Sequence, residues 1–218
     1  PNMATMLTFI MTDADLSQEL LDKALSLVVN KSFNLLTVDG ETSTNDSAFL
    51  LSSGKSSASL IDKEDESYEI FLKHLESVAL TLTEKLASDG EGATKFIKIE
   101  VHGAIDDAEA NKAAKVIGNY PLCKTAFYGA SPNWGRIISA LGGAGIGVNL
   151  EEFSVYVDGA ALVHKGENVP STAKQAHEVM LGGKYVLEIE LGKGDGSGTC
   201  YTCDYSPEYI RINAHYLS

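Results

Sequence analysis

The sequence predicts a layered α/β fold, because helical hydrophobic patterns alternate along the chain with strand-like patterns. Residues 96–102 alternate polar and apolar side chains, which is typical of a half-buried strand. Residues 66–88 repeat apolar side chains every three or four positions, as a helix with one buried face does. Asp158-Gly159 lies between two short apolar runs and predicts a hairpin turn.

The first part of the chain carries helical and strand-like patterns in turn. In order, they predict a strand at residues 6–10, a helix at 13–30, strands at 33–38 and 48–51, and a helix at 66–88. Thr12 or Asp13 is expected to cap the first helix, because both residue types accept hydrogen bonds from a first turn. The polar loop 39–46 and the serine-rich segment 54–65 connect the other elements. The apolar stripe of the second helix is predicted at Phe71, Leu75, Val78, Leu82 and Leu86.

The remainder of the chain continues the alternation in shorter elements. They are a strand at 96–102, a helix at 106–118, a strand at 125–128, a helix at 132–141, a hairpin of 153–157 with 161–164, a helix at 171–181 and a strand at 185–191. Asp89-Gly90 is typical of a helix end, and the rhythm of the pattern changes after it. We therefore expect a boundary near Lys95, with residues 1–94 in one part and 95–218 in the other.

Charge and hydropathy disfavour several classes of function. The net charge is −13 and no Lys/Arg-rich run occurs, which disfavours binding to the phosphate backbone of nucleic acid. No stretch of about 18 apolar residues is present, so no membrane span is predicted. The chain begins with Pro1, without an initiator methionine or a signal-peptide pattern. We therefore expect it to be a fragment of a longer chain.

Several familiar motifs of catalysis and binding are incomplete here. A phosphate site needs a glycine-rich run that follows a strand and opens a helix. The run 142–147 follows a predicted helix, and the run 192–198 leads into another strand, so both predict turns. Cys200 and Cys203 form a single CxxC on a predicted strand, which favours structural cysteines and no metal. His177 is a candidate general base, although a surface position on a helix is the favoured interpretation.

Five segments of the chain together resemble the glutamate N-acetyltransferase family, also called ornithine acetyltransferases, the bifunctional proteins of arginine biosynthesis. The segments are PNMATML at 1–7, TVDGETSTND at 37–46, DGEGATK at 89–95, PNWGRI at 132–137, and TCD at 202–204 followed by YIRINAHY at 209–216. They occur in the family's order and span the chain. The resemblance identifies the chain as the C-terminal half of the family's precursor, the β chain, together with its self-cleavage junction.

The resemblance implies a self-processing acetyltransferase with an N-terminal-nucleophile-like fold. The precursor would cleave itself between Ala4 and Thr5, and the hydroxyl of Thr5 would then be the catalytic nucleophile. Its new α-amine, with a reference pKa of about 7.7–8.0, would accept the hydroxyl proton. The acetyl group of N2-acetylornithine would pass to Thr5 and then to glutamate by a ping-pong mechanism. Whether acetyl-CoA also serves as a donor is left open by the sequence.

The same resemblance assigns substrate-binding roles to Thr5, Glu91, Asn213 and Ser218. A carboxylate such as Glu91 suits the ornithine amino groups. Residues 1–94 would then be the nucleophile-bearing part of a shared catalytic domain, and 95–218 an α/β subdomain with a substrate-site tail. The oxyanion donors would lie in the missing half. Segments 42–46 and 133–136 are interpreted as scaffold.

The expected partners are small molecules and the α chain, the N-terminal half of the same precursor, in an α2β2 heterotetramer. No metal or cofactor, nucleic acid or membrane partner is expected, and acetyl-CoA would enter only as a substrate. The expected location is the cytoplasm, or the mitochondrial matrix in a fungus. Two alternatives stay open: a self-processing N-terminal-nucleophile amidase or aminopeptidase that transfers the acyl group to water, and a non-catalytic half needed only for assembly.

Overall fold

The computed structural model describes residues 6–215 of the chain. The predicted cleavage residues Ala4 and Thr5, and the predicted substrate residue Ser218, therefore lie outside the described residues. The chain divides into two compact units. Their bounds are Pro1–Leu36 with Gly40–Lys85 for the first unit, and Thr37–Asp39 with Leu86–Ser218 for the second unit. The boundary near Lys95 concerns the catalytic organisation of the complete protein and stays a prediction.

The first unit is built on a two-stranded parallel sheet. Its elements are β1 (Leu7–Thr12), α1 (Gln18–Lys31), β2 (Ser47–Ser52) and α2 (Glu66–Ser88), whose last three residues belong to the second unit. β1 and β2 pair in parallel from Leu7 opposite Ser47 to Thr12 opposite Ser52. A parallel pair requires a long crossover connection, and α1 lies within that connection.

One face of this small sheet is apolar and exposed. Leu7, Phe9 and Met11 alternate along β1 with side chains that are 58%, 56% and 75% exposed. Phe49 and Leu51 of β2 are likewise exposed, and the rings of Phe9 and Phe49 stack with their centroids 5.0 Å apart. Parallel sheets are normally covered on both faces, so an apolar face that is exposed to solvent is unusual.

The sequence located three elements of the first unit correctly and placed two others wrongly. The strands near 6–10 and 48–51 and the helix Glu66–Ser88 are confirmed. The first helix starts later than predicted, at Gln18, and the Oγ of Ser17 caps it by accepting the amide of Leu20. Thr12 instead accepts the amide of Ala14 in a local turn, which competes with helix formation.

The strand predicted at 33–38 is wrong, because Phe33–Leu35 forms a single turn of 3-10 helix. Phe33 and Leu36 are both fully buried, so the short apolar run marks core residues in a turn and not a strand. Periodicity cannot separate these cases over so few residues. Val78 of the predicted stripe is 48% exposed. The buried side chains of α2 are Tyr68, Leu75, Ala79, Thr83 and Ala87.

The second unit contains a six-stranded mixed sheet in the order β6-β5-β4-β7-β3-β8. The strands are β3 (Phe96–Ala104), β4 (Ser154–Val157), β5 (Ala160–His164), β6 (Glu167–Asn168), β7 (Lys184–Glu190) and β8 (Gly196–Cys203). The helices are α3 (Asp107–Asn119), α4 (Pro121–Tyr128), α5 (Trp134–Gly143), α6 (Ala173–Leu181) and α7 (Pro207–Ala214). Only β3 and β7 pair in parallel; the other neighbouring strands are antiparallel.

The core of the second unit lies between this sheet and its helices. Ile97, Ile99 and Val101 of β3 are completely buried, as the alternating pattern predicted. They belong to one apolar cluster with the small residues of α3, chiefly Ala110 and Ala113, which let the helix approach the sheet closely. The predicted Asp158-Gly159 hairpin is also confirmed, and both turn residues have positive φ, 42° and 76°.

The strand predicted at 125–128 is wrong, because these residues end the helix α4. Pro121 occupies the start of that helix, where its fixed φ and missing N–H are tolerated. Cys123, Ala126 and Phe127 are buried at helical spacing, so the apolar run belongs to a short helix. The layered α/β class itself is confirmed. None of the helices among residues 6–215 is long and apolar enough to cross a membrane.

Candidate functional site

The loop 89–95 and the C-terminal segment 204–213 lie together in the second unit. The loop precedes β3 and the segment follows β8. These two strands pair antiparallel, with Phe96 opposite Cys203, so the residues before one strand meet the residues after the other. The fold thus brings together two of the five segments that carry the family resemblance.

Glu91 and Asn213 form a direct contact within this site. The Asn213 Nδ2 donates to Glu91 Oε2 at 2.8 Å and to the carbonyl oxygen of Tyr209 at 3.0 Å. Both contacting side chains are on the surface. An exposed carboxylate with one oxygen held in a fixed direction can accept charge-assisted hydrogen bonds from an ammonium group. The structure therefore joins two of the four predicted substrate residues, while their roles in substrate binding stay predictions.

Gly92 is required by the close approach of the two segments. Its φ is +67°, and a Cβ added there would lie 2.5 Å from the backbone nitrogen of Tyr209. The Ser206 Oγ donates to the Gly92 carbonyl at 2.6 Å and accepts the Glu208 amide at 3.1 Å, where it caps the first turn of α7. The serine that starts the terminal helix thus also holds the loop.

Asp204 is a buried carboxylate that binds the end of the loop. It is only 1% exposed. Its Oδ1 accepts the amides of Thr94 at 2.8 Å and Lys95 at 2.9 Å, and its Oδ2 accepts the Thr94 hydroxyl at 2.5 Å. A charge buried this deeply is tolerated only when its hydrogen-bonding capacity is filled, and these three bonds fill much of it.

Two buried lysines lie close to Asp204. The Lys95 Nζ donates to the Phe127 carbonyl at 2.8 Å, and burial lowers the pKa of this amine while the Asp204 charge opposes the shift. Lys124 is completely buried, and its Nζ donates to the Thr202 Oγ1 at 3.0 Å and to the Cys203 carbonyl. Burial lowers the pKa of Lys124 as well. The Lys95 amine thus holds the end of α4, and the Lys124 amine holds the end of β8.

Two stacked tyrosines support the helix α7. The rings of Tyr205 and Tyr209 stack with centroids 4.5 Å apart, and the Lys124 Nζ lies 4.7 Å from the centre of the Tyr205 ring. The Tyr209 hydroxyl donates to Asp39 Oδ2 at 3.0 Å. Burial, followed by the nearby Asp39 charge, raises the pKa of Tyr209, so it stays a hydrogen-bond donor at neutral pH. Since Tyr209 also accepts from Asn213, this packing helps to fix the direction of that side chain.

The segments interpreted as scaffold include side chains that bind backbone groups of neighbouring loops. Asp46 Oδ1 accepts the Met6 amide at 2.6 Å and its Oδ2 accepts the Ser43 amide at 3.1 Å. The Arg136 Nη1 donates to the Leu122 carbonyl at 2.6 Å. These are the contacts expected of residues that hold loops in place.

Three further candidates, His177, Cys200 and Cys203, lie outside this site. His177 is on the surface of α6 and its Nδ1 lies 2.7 Å from the Ala130 carbonyl. Cys200 and Cys203 are buried free thiols, and burial raises the pKa of Cys200 to about 12, which keeps it protonated and unreactive. Among residues 6–215, no three His, Cys, Asp or Glu side chains are grouped as a metal site would require.

Sequence reasoning missed three residues that support the site, namely Asp204, Ser206 and Lys124. Asp204 stood within a recognised segment, but nothing in the sequence indicated that it binds residues 94 and 95. Ser206 followed by Pro207 is a pattern typical of a helix start, and it could have located α7. Lys124 gave no signal, because lysine side chains are ordinarily exposed.

Comparison with known proteins decides the family. The sequence profile of the ArgJ family matches residues 1–218. The chain belongs to the ArgJ family. It is 42% identical over 217 residues to the arginine biosynthesis bifunctional protein ArgJ of Syntrophotalea carbinolica, covering 99% of this chain and 55% of that protein. It is 43% identical to the ArgJ protein of Chlorobaculum tepidum, covering 100% of this chain and 54% of that protein.

Solved structures agree with the ArgJ family assignment. A crystal structure of the arginine biosynthesis bifunctional protein argJ from Bacillus halodurans matches with a TM-score of 0.91 and 38% identity. The match covers 97% of this chain and 100% of that chain. The chain spans about half the length of the curated ArgJ relatives that it matches.

Proposed function

We propose that the complete protein transfers an acetyl group from N2-acetylornithine to glutamate, giving ornithine and N-acetylglutamate for arginine biosynthesis. The chain would supply the nucleophile Thr5 and part of the substrate site. The observation that carries this proposal is the ArgJ family match over residues 1–218. The contact between Glu91 and Asn213 supports it, because the structure joins two residues to which the family pattern gives one task.

Maturation would begin with cleavage of the bond between Ala4 and Thr5. The Thr5 hydroxyl attacks the Ala4 carbonyl carbon, the C–N bond breaks, and the acyl group moves from nitrogen to oxygen as an ester. Water then hydrolyses that ester and leaves a carboxylate on Ala4 and a free α-amine on Thr5. This amine has a reference pKa of about 7.7–8.0, so its neutral form is available as a base near neutral pH.

The mature Thr5 would act in two half-reactions. Its hydroxyl gives a proton to its own α-amine and attacks the acetyl carbonyl of N2-acetylornithine, and ornithine leaves with that proton. Glutamate then attacks the acetyl ester through its amine and regenerates Thr5. Both half-reactions pass through tetrahedral intermediates, and their oxyanion donors would come from the N-terminal half. Acetyl-CoA is a candidate second donor for the first half-reaction.

Glu91 would recognise the cationic substrate. Its Oε2 accepts the Asn213 amide, which fixes the direction of the carboxylate. A carboxylate bound to an ammonium group forms a charge-assisted hydrogen bond, worth about 1.5–3 kcal/mol. Ser218 would add a hydroxyl to the same recognition.

The proposed partner is the N-terminal half of the precursor, in an α2β2 assembly in the cytoplasm, or in the mitochondrial matrix if the source is fungal. The exposed apolar face of β1 and β2 supports such a partner, because Leu7, Phe9 and Met11 are more than half exposed. An apolar face on a parallel sheet requires a cover. We therefore expect the chain alone to be inactive and poorly soluble.

The test is an acetyl-transfer assay of the complete precursor with its Thr5→Ala variant as the control. Wild-type protein should split into two chains and form N-acetylglutamate from N2-acetylornithine and glutamate. Thr5→Ala should do neither, because one hydroxyl serves both reactions. Release of acetate without N-acetylglutamate would instead identify a hydrolase, and an active, cleaved Thr5→Ala protein would reduce this half to an assembly role.

A further inference from the structure

Three side chains of the C-terminal segment hold the loop 89–95 at successive points. Asn213 binds Glu91, Ser206 binds the carbonyl of the next residue, and Asp204 binds the loop's last two residues. Asp204 is the charged and most deeply buried member of the three. Nothing in the proposed reaction uses it directly.

The geometry at Asp204 sets the direction in which the loop enters β3. In an extended strand, successive N–H groups point to opposite sides. Here one oxygen, Oδ1 of Asp204, accepts the successive N–H groups of Thr94 and Lys95 at 2.8 and 2.9 Å. The backbone must therefore turn at these residues, so β3 cannot extend to residues before Phe96. Successive amides that converge on one anion are a recurrent way of fixing such a turn.

The turn decides where Glu91 lies. Three residues separate Glu91 from Lys95, and the contact of Ser206 with Gly92 leaves the intervening backbone little freedom. Asp204 and Asn213 belong to one continuous segment, joined by α7, so the two ends of the loop are bound to one support. A shift of the loop at Asp204 therefore changes the position of the Glu91 carboxylate relative to Asn213.

We propose that Asp204 is a positioning residue for the acetyl donor, acting through Glu91, an inference that rests on the proposed function. It would not touch the substrate. Its carboxylate fixes the turn before β3 and thereby the direction in which Glu91 meets the ornithine amino groups. Loss of its charge weakens three hydrogen bonds at once, while the shape of the side chain can be kept by asparagine.

The experiment is a double-mutant cycle on the complete, self-cleaved protein. The kcat and KM for N2-acetylornithine are measured for wild type, Asp204→Asn, Glu91→Gln and the double variant. Each single substitution should raise KM by about tenfold or more, as expected for a lost charge-assisted bond. The KM of the double variant should lie within about twofold of the higher of the two single-variant KM values, because both changes disable the same interaction. If the two effects on KM multiply, Asp204 does not act through Glu91 and the inference is overturned.

Two further variants keep the test decisive. Asp158→Asn is the matched control, because Asp158 Oδ1 also accepts a backbone amide, that of Val186 at 2.8 Å, in a hairpin of the same unit. It should leave KM unchanged. Thr94→Val removes only the hydroxyl that donates to Asp204, and serves if Asp204→Asn does not fold. A folded Thr94→Val with wild-type KM would count against the inference.

The failure of the proposed function has a different signature. A cleaved wild-type protein that forms no N-acetylglutamate overturns the proposed function, together with this inference. An active wild type with multiplying effects overturns the inference alone. The melting temperature of each variant separates loss of fold from loss of positioning.

Discussion

The two sheets of the molecule differ sharply in how much apolar surface they bury. Ile97, Ile99 and Val101 on β3 of the six-stranded sheet are 0% exposed. Phe9 and Met11 on β1 of the two-stranded sheet are 56% and 75% exposed. The second unit thus has a core of its own, whereas the first presents apolar side chains that a further chain segment would bury. The curated ArgJ relatives are about twice as long as this chain, and the contrast marks β1 and β2 as the surface that the proposed N-terminal half would cover.

The largest expected effect comes from truncating one residue on each sheet. Ile99→Ala should lower the free energy of unfolding by about 2–5 kcal/mol, because it leaves a cavity in a closed core. Phe9→Ala should cost this chain, expressed alone, no more than about 1.5 kcal/mol, mainly from the lost ring stack with Phe49. Urea unfolding of both variants measures the difference.

The complete protein provides the control for this pair. If the N-terminal half covers β1, the cost of Phe9→Ala should rise there to about 3–5 kcal/mol, the range for a buried phenylalanine. The cost of Ile99→Ala should stay the same. If Phe9→Ala lowers the free energy of unfolding equally with and without the other half, then that half does not cover β1.

An intermediate effect is expected within the second unit, at the loop that carries Glu91. Gly92→Ala places a methyl group against the Tyr209 backbone in a left-handed conformation, which costs about 1–3 kcal/mol of strain. The terminal helix must shift, so the KM for N2-acetylornithine should rise. Gly147→Ala is the matched control, since its Cβ would meet no atom within 4 Å, and it should change neither stability nor KM. Thermal melting and initial rates report both outcomes.

The smallest expected effect on stability comes from Glu109, a partly exposed residue of the second unit. Glu109 accepts the Ile105 amide at 3.0 Å and pairs with Lys193 at 2.6 Å, and these contacts lower the pKa of its carboxyl. Because the folded pKa is below the unfolded value of about 4.3, its stabilisation is fully present above that pH. It is lost as the pH falls through the folded pKa.

Glu109→Gln should therefore cost about 0.5–1 kcal/mol at pH 7 and nothing at a pH well below the folded pKa. Glu178→Gln is the control, because Glu178 and Lys174 are 3.9 Å apart and largely exposed. It should have no measurable effect at either pH. A Glu109→Gln penalty that persists in acid would contradict the assignment. Urea midpoints at the two pH values provide the measurement.

The sequence predicted best those elements whose signals are local. The helix Glu66–Ser88 has a long periodic pattern, and the Asp158-Gly159 turn requires two residues that tolerate positive φ. Short apolar runs at 33–38 and 125–128 misled, because three or four buried residues fit a strand, a turn or a short helix equally well. Tertiary packing decided these cases.

The site was less accessible to sequence reasoning because its contacts are long-range. Glu91 and Asn213 are 122 positions apart, and Asp204 is 110 positions from Thr94. No local pattern encodes such pairs, so only the family resemblance could name Glu91 and Asn213 together. The support beneath them was missed for the same reason, since Lys124 contacts residues 78 and 79 positions away.

The place of β8 in the sheet has a consequence for synthesis on the ribosome. β3 is made about a hundred residues before β8, its antiparallel neighbour. While the intervening chain is translated, the loop that carries Glu91 lacks Asp204, Ser206 and Asn213. The loop can reach its final shape only when the last helix has emerged. A nascent chain that stops just before residue 204 contains all six strands of the sheet. It lacks Asp204, Ser206 and Asn213, so it has no means of orienting Glu91.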